Sequence, residues 1–70
     1  NEMGIIKMNR RFYFTNEEAE NIMNDYIGNI RGARSRAQFY ADLFGEIIYI
    51  NDCGTEDIVD VIFPENYIVK

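Results

Sequence analysis

The sequence predicts a small α+β domain of order β-α-α-β-β-β, a helical hairpin packed on a small antiparallel sheet. Three observations predict it. Two segments in the middle of the chain carry apolar residues at spacings of three and four, and each opens on a capping-box pattern. From Glu46 onward the apolar period falls to two. Two turn signals then divide that second half into three extended pieces.

Residues 5–14 read as extended, with Ile6, Met8, Phe12 and Phe14 on one parity and Lys7, Asn9, Arg11 and Tyr13 on the other. Arg10 interrupts the apolar face, which narrows the clean strand to Arg11–Phe14. The pattern leaves open whether this strand is central or at an edge. Thr15-Asn16-Glu17-Glu18 then resembles a capping box, in which the Thr15 hydroxyl accepts from the Glu18 N–H. Ala19, Ile22, Met23, Tyr26, Ile27 and Ile30 follow as one helical stripe. Gly28 inside it costs about 1 kcal/mol relative to Ala. The helix either ends there or runs to Arg31 with Gly32 as its cap, and Ile30 favours the longer version.

Ser35-Arg36-Ala37-Gln38 opens the second expected helix and Gly45 caps it. Ala37, Tyr40, Ala41 and Phe44 form its stripe, widened by Phe39 and Leu43. A link this short predicts an αα-hairpin. Glu46–Asn51 is the next strand, and Asn51-Asp52-Cys53-Gly54 is a turn with Gly54 suited to positive φ. Asp57–Phe63 follows, with Val59, Val61 and Phe63 opposite in parity to Ile58, Asp60 and Ile62. Pro64-Glu65-Asn66 turns the chain into a last short strand, Tyr67–Lys70.

A chain of 70 residues holds one domain, residues 1–70, with Asn1–Gly4 reading as a cloning remnant and Met3 and Met8 each able to be a native start. One cysteine permits no internal disulfide, and with no histidine the Ser-His-Asp and Cys-His arrangements are excluded. Stability must come from burial, and 47% hydrophobic residues supply a core. No apolar run nears the ~20 residues of a membrane span. A free thiol with no export signal fits a reducing cytoplasm. Cys53 sits among Asp52 and Asp57, which would raise its pKa. Asn51–Asp57 is rich in oxygen ligands but lacks the spacing of a calcium loop. Gly28, Gly32 and Gly45 punctuate helices and form no phosphate-binding pattern. No enzyme, metal or cofactor is expected.

The charge distribution carries the functional reading. The formal net charge is −5, from 12 acidic and 7 basic residues. The stretch from Ala37 to Val69 has no basic residue but holds Asp42, Glu46, Asp52, Glu56, Asp57, Asp60 and Glu65. The leading expectation is a non-enzymatic protein-binding module, an acidic inhibitor or adaptor. Asp52, Glu56, Asp57, Asp60 and Glu65 with Tyr49 would imitate a row of phosphates and enter a protein partner's basic groove. In composition alone, phage and plasmid inhibitors of host nucleases or nucleic-acid-binding proteins have this profile.

The alternative is a helix-turn-helix-like DNA-binding regulator using Arg31, Arg34 and Arg36, disfavoured because a net-acidic domain forfeits long-range attraction to phosphates. The third expectation is a homodimer or other homo-oligomer. A sheet with helices on one face leaves either Ile47 and Tyr49 or Ile48 and Ile50 uncovered on the other.

Overall fold

The computed structural model describes residues 10–67. Its element order is β1 (Arg10–Thr15), β2 (Asn21–Gly28), α1 (Ile30–Phe44), β3 (Ile48–Asp52) and β4 (Ile58–Ile62). The four strands form one antiparallel sheet in the order β2-β1-β3-β4, with α1 packed on one face. The α+β class therefore holds. The first strand is central, between β2 and β3. Residues 5–9 of the expected first strand and 68–70 of the expected last strand lie outside the described residues.

Among the described residues the helical hairpin is absent, because a strand stands where the first helix was expected. The cause lies in β1–β2 pairing. Phe12 pairs with Tyr26 and Phe14 with Met23, so an extra β2 residue intervenes, and a second register shift follows before Thr15 pairs with Asn21. A bulge of this kind sets inward-facing residues three apart instead of two. Met23 and Tyr26 thereby acquire a helical spacing inside a strand. Asn24, Asp25 and Gly28 are weak helix formers, in keeping with this outcome.

The capping boxes also dissolve. Thr15 ends β1, and Ser35–Gln38 falls within α1. The helix actually starts at Asn29, whose side chain accepts from the Gly32 N–H at 2.8 Å while its carbonyl accepts from the Ala33 N–H at 3.0 Å. Gly45 ends it as expected, in the left-handed region at φ 67°, with its N–H donating to the Ala41 carbonyl.

The core is Phe12, Phe14, Ile48 and Ile50 on the inner sheet face against Ala33, Ala37 and Ala41 on α1. Alanines at every fourth position let the helix lie close over a sheet face already filled by large side chains. Phe39 and Leu43, expected within the helical stripe, lie on the side away from the alanines and are exposed, whereas Phe44 stacks on Tyr40 at the end of the core face and is half exposed. Gly32 sits where the helix meets Tyr26. A Cβ there would fall well inside contact distance of the Tyr26 hydroxyl.

Candidate functional site

The acidic candidates do not form one row. Asp52 lies on the inward parity at the end of β3 and is almost buried. It pairs with Arg10, which also lies over the Phe12 ring at 5.1 Å. Its Oδ1 accepts from the N–H groups of Gly54 and Thr55 at 2.7 and 3.2 Å. Arg10 first, and then these two backbone donors, hold the Asp52 carboxyl below the usual carboxylate range. Asp52 is thus the organiser of the β3–β4 turn. Glu56 in that turn adopts φ 64°, so the left-handed residue is Glu56 and not Gly54.

Asp60 faces the helix side of the sheet and accepts from Arg34 Nε at 2.6 Å, across 26 residues of sequence. Tyr49 sits on the opposite, open face, since its neighbours Ile48 and Ile50 point into the core. Glu56 and Asp57 are exposed before β4, and Glu65 is exposed beyond its far end. The five carboxylates and the tyrosine thus occupy both sheet faces and both ends of β4.

The arginines divide as well. Arg34 is engaged by Asp60. Arg36 is exposed, with its guanidinium 5.7 Å from the Tyr26 ring centre and near the Met23 sulfur. Arg31 is exposed in the first turn of α1. All three lie in one helix, and without a preceding helix the expected helix-turn-helix outline is absent among the described residues.

A different cluster emerges where α1 ends. Thr15 pairs with Tyr49 and Ile48 with Ile62, so the β1–β2 turn, the start of β3 and the end of β4 all lie at this end. Asn16, only 4% exposed, ties it together. Its Oδ1 accepts from the Glu18 and Glu20 N–H groups at 3.0 and 2.9 Å. Its Nδ2 donates to the Glu20 and Glu46 carboxylates at 2.9 and 3.2 Å. On the other flank, Asp42 accepts from the Glu65 N–H at 2.8 Å and from Gln38 at 3.1 Å.

Glu17, Glu18, Glu20, Asp42, Glu46 and Glu65 are therefore gathered at one end. None makes an ion pair among the described residues. The last turn of α1 holds no basic residue either, so the negative end of the helix dipole adds to this field. Beside these carboxylates Phe39, Leu43 and Phe44 stand 57%, 60% and 50% exposed. The sequence carried a signal for this: three glutamates around Asn16 and another just past the helix cap. Only the strand pairing brings them together.

Catalytic groups are sparse. Burial pushes the Cys53 thiol up, reinforced by Asp25 and opposed by Arg11. Among the described residues no group of three or more His, Cys, Asp or Glu could hold a metal ion, and no helix is long and apolar enough to cross a membrane. Comparison of the chain with protein families, curated proteins and solved structures finds no match.

Proposed function

We propose that the chain is a non-enzymatic protein-binding module that engages its partner through the outer flank and acidic end of α1. The observation that carries this reading is the exposure of Phe39 and Leu43, neighbours on one side of α1, while alanines fill the helix positions over the core. Apolar residues concentrated at one place on a small domain, rimmed by charge, mark a contact surface. The shifted titrations point away from catalysis. An Asp held low and a thiol held high are both poorly poised for proton transfer near neutrality.

The acidic end also favours a second reading, presentation of these carboxylates to a basic groove on another protein, as an inhibitor would do. Its residues then become Glu17, Glu18, Glu20 and Glu46, since Asp52 and Asp60 are engaged by arginines. Capture experiments with the tagged chain as bait test both. The first reading expects a retained protein, or untagged chain, that is lost from a Phe39→Ser/Leu43→Ser bait of unchanged circular dichroism. Retention of the same proteins by both baits removes it. The second expects a basic protein eluting at moderate salt and lost from a Glu17→Gln/Glu18→Gln/Glu20→Gln bait.

A further inference from the structure

We infer that the α1 flank is occupied by a second copy of this chain, its helix packed antiparallel to the first. The inference rests on the protein-binding reading and names its partner. Gly32, Arg36, Phe39 and Leu43 recur at spacings of four, three and four, which is the seam one helix offers another.

The seam contains a ready hole. A cleft of about 430 Å³ beside β2 is lined by Gly32, Ser35, Arg36 and Phe39, with Tyr26 as its wall. Positions i, i+3, i+4 and i+7 of one helix are those that receive a single knob from a facing helix. In an antiparallel pair with its two-fold axis near Phe39, Leu43 of the second copy stands opposite this cleft. By symmetry the first copy's Leu43 meets the second copy's cleft. The contact is isologous and closed.

Charge fixes the direction. Arg31, Arg34 and Arg36 lie in the first half of α1, while Glu20 and Glu46 flank its end, where the last turn has no basic residue. Arg36 makes no ion pair among the described residues. Antiparallel packing sets Arg36 of each copy toward the acidic end of the other and opposes the two helix dipoles. Parallel packing would place the two acidic ends together, which like-charge repulsion disfavours.

Sedimentation of the purified chain between ~1 and ~100 μM, a range in which micromolar association is visible, tests this. The expected mass rises toward twice the 8.2 kDa of one chain. Leu43→Glu, with unchanged circular dichroism, should remain monomeric throughout, and Arg36→Glu should weaken association at least tenfold. Direction is read by disulfide trapping in a Cys53→Ser background. A mixture of Ser35→Cys and Leu43→Cys chains should form a mixed cross-linked dimer faster than either chain alone. A monomer at ~100 μM overturns the second copy, while loss of a captured protein from the Phe39→Ser/Leu43→Ser bait would still support the wider reading. A dimer that survives Leu43→Glu, or one that traps no mixed disulfide, overturns the α1 arrangement.

Discussion

The two ends of α1 use charge in opposite ways. Where the helix begins, two carboxylates are paired within the chain: Asp52 holds Arg10 and two turn N–H groups, and one turn further on Arg34 holds Asp60, while Glu56 and Asp57 stay exposed. Where the helix ends, six carboxylates, Asp42 among them, gather without a cationic partner among the described residues. The difference teaches that an acidic count along a sequence says little about an acidic surface. Asp52 and Asp60 belong to the basic-free half of the chain, yet both are partnered from the other half. The larger unpaired set lies at the end where neutral amide donors, not arginines, hold Glu20, Glu46 and Asp42 in place.

Asn16→Ala should disturb that comparison most. It removes the acceptor of two backbone N–H groups and the link between Glu20 and Glu46. Loss of a nearly buried group with this many partners costs about 2 kcal/mol. Urea unfolding should show a lower midpoint with an unchanged slope. An unchanged midpoint would mean that the acidic end is held together by something other than Asn16.

Gly32→Ala probes the opposite half of the helix. The new methyl collides with the Tyr26 ring, which is stacked on Phe14 with centroids 6.1 Å apart and has little freedom to retreat. Overpacking of this kind costs about 1–3 kcal/mol, against which Ala returns about 1 kcal/mol of helix propensity. The net expectation is a modest loss. In a Tyr26→Phe background, where the colliding oxygen is gone, the same substitution should be neutral or stabilising. Equal losses in both backgrounds would show that Gly32 matters for another reason.

These two positions also mark what was legible in the sequence. Strands β3 and β4 and the Gly45 cap were readable because period-two alternation and a glycine stop are local signals. The turn at Pro64–Asn66 was readable for the same reason, and Tyr67 N–H closes it on the Pro64 carbonyl at 3.0 Å. Strand β2 was not readable, because its bulges impose the spacing of a helix on Met23 and Tyr26. The Asn29 cap was masked by that error, since a helix was already assigned across it. Phe39 and Leu43 widened the expected stripe because hydrophobicity alone does not separate them from Ala37, Tyr40 and Ala41, which do face the core. The candidate row of carboxylates failed for a longer-range reason. Asp52 and Arg10 are 42 residues apart, and no local pattern announces their meeting.

Glu56→Gly sharpens the comparison at the turn end. Glu56 holds φ 64°, a conformation that costs a side-chain-bearing residue about 1 kcal/mol and glycine almost nothing. The substitution should raise the unfolding midpoint by about 1 kcal/mol equivalent, less the extra chain entropy of glycine when unfolded. Since Glu56 lies in the β3–β4 turn and outside the α1 seam, the same change should leave association unaltered. Weakened association in Glu56→Gly would return the β3–β4 turn to the list of contact surfaces.

The smallest effect at neutral pH, and the most diagnostic, concerns Asp52. Arg10 and the Gly54 and Thr55 N–H groups lower its pKa in the folded chain relative to the ordinary value of 3.8. A depressed carboxyl binds fewer protons folded than unfolded, so its contribution is fully present above the unfolded value. That contribution is lost as pH falls below about 4 and through the folded value. Exposure of Arg10 to solvent screens the pair and keeps the effect modest. Asp52→Asn should therefore be less stable than the parent at pH 7, and the gap between them should narrow as pH falls below about 4. The acidic end predicts the opposite tendency. Its clustered carboxylates lie without a cationic partner among the described residues, so removing charge there relieves repulsion. A Glu17→Gln/Glu18→Gln/Glu20→Gln chain should gain on the parent at pH 7 in low salt and lose most of that advantage in ~1 M salt, where repulsion between exposed charges is screened. If both variants lost stability relative to the parent at pH 7, the two ends would not differ electrostatically as their partners imply.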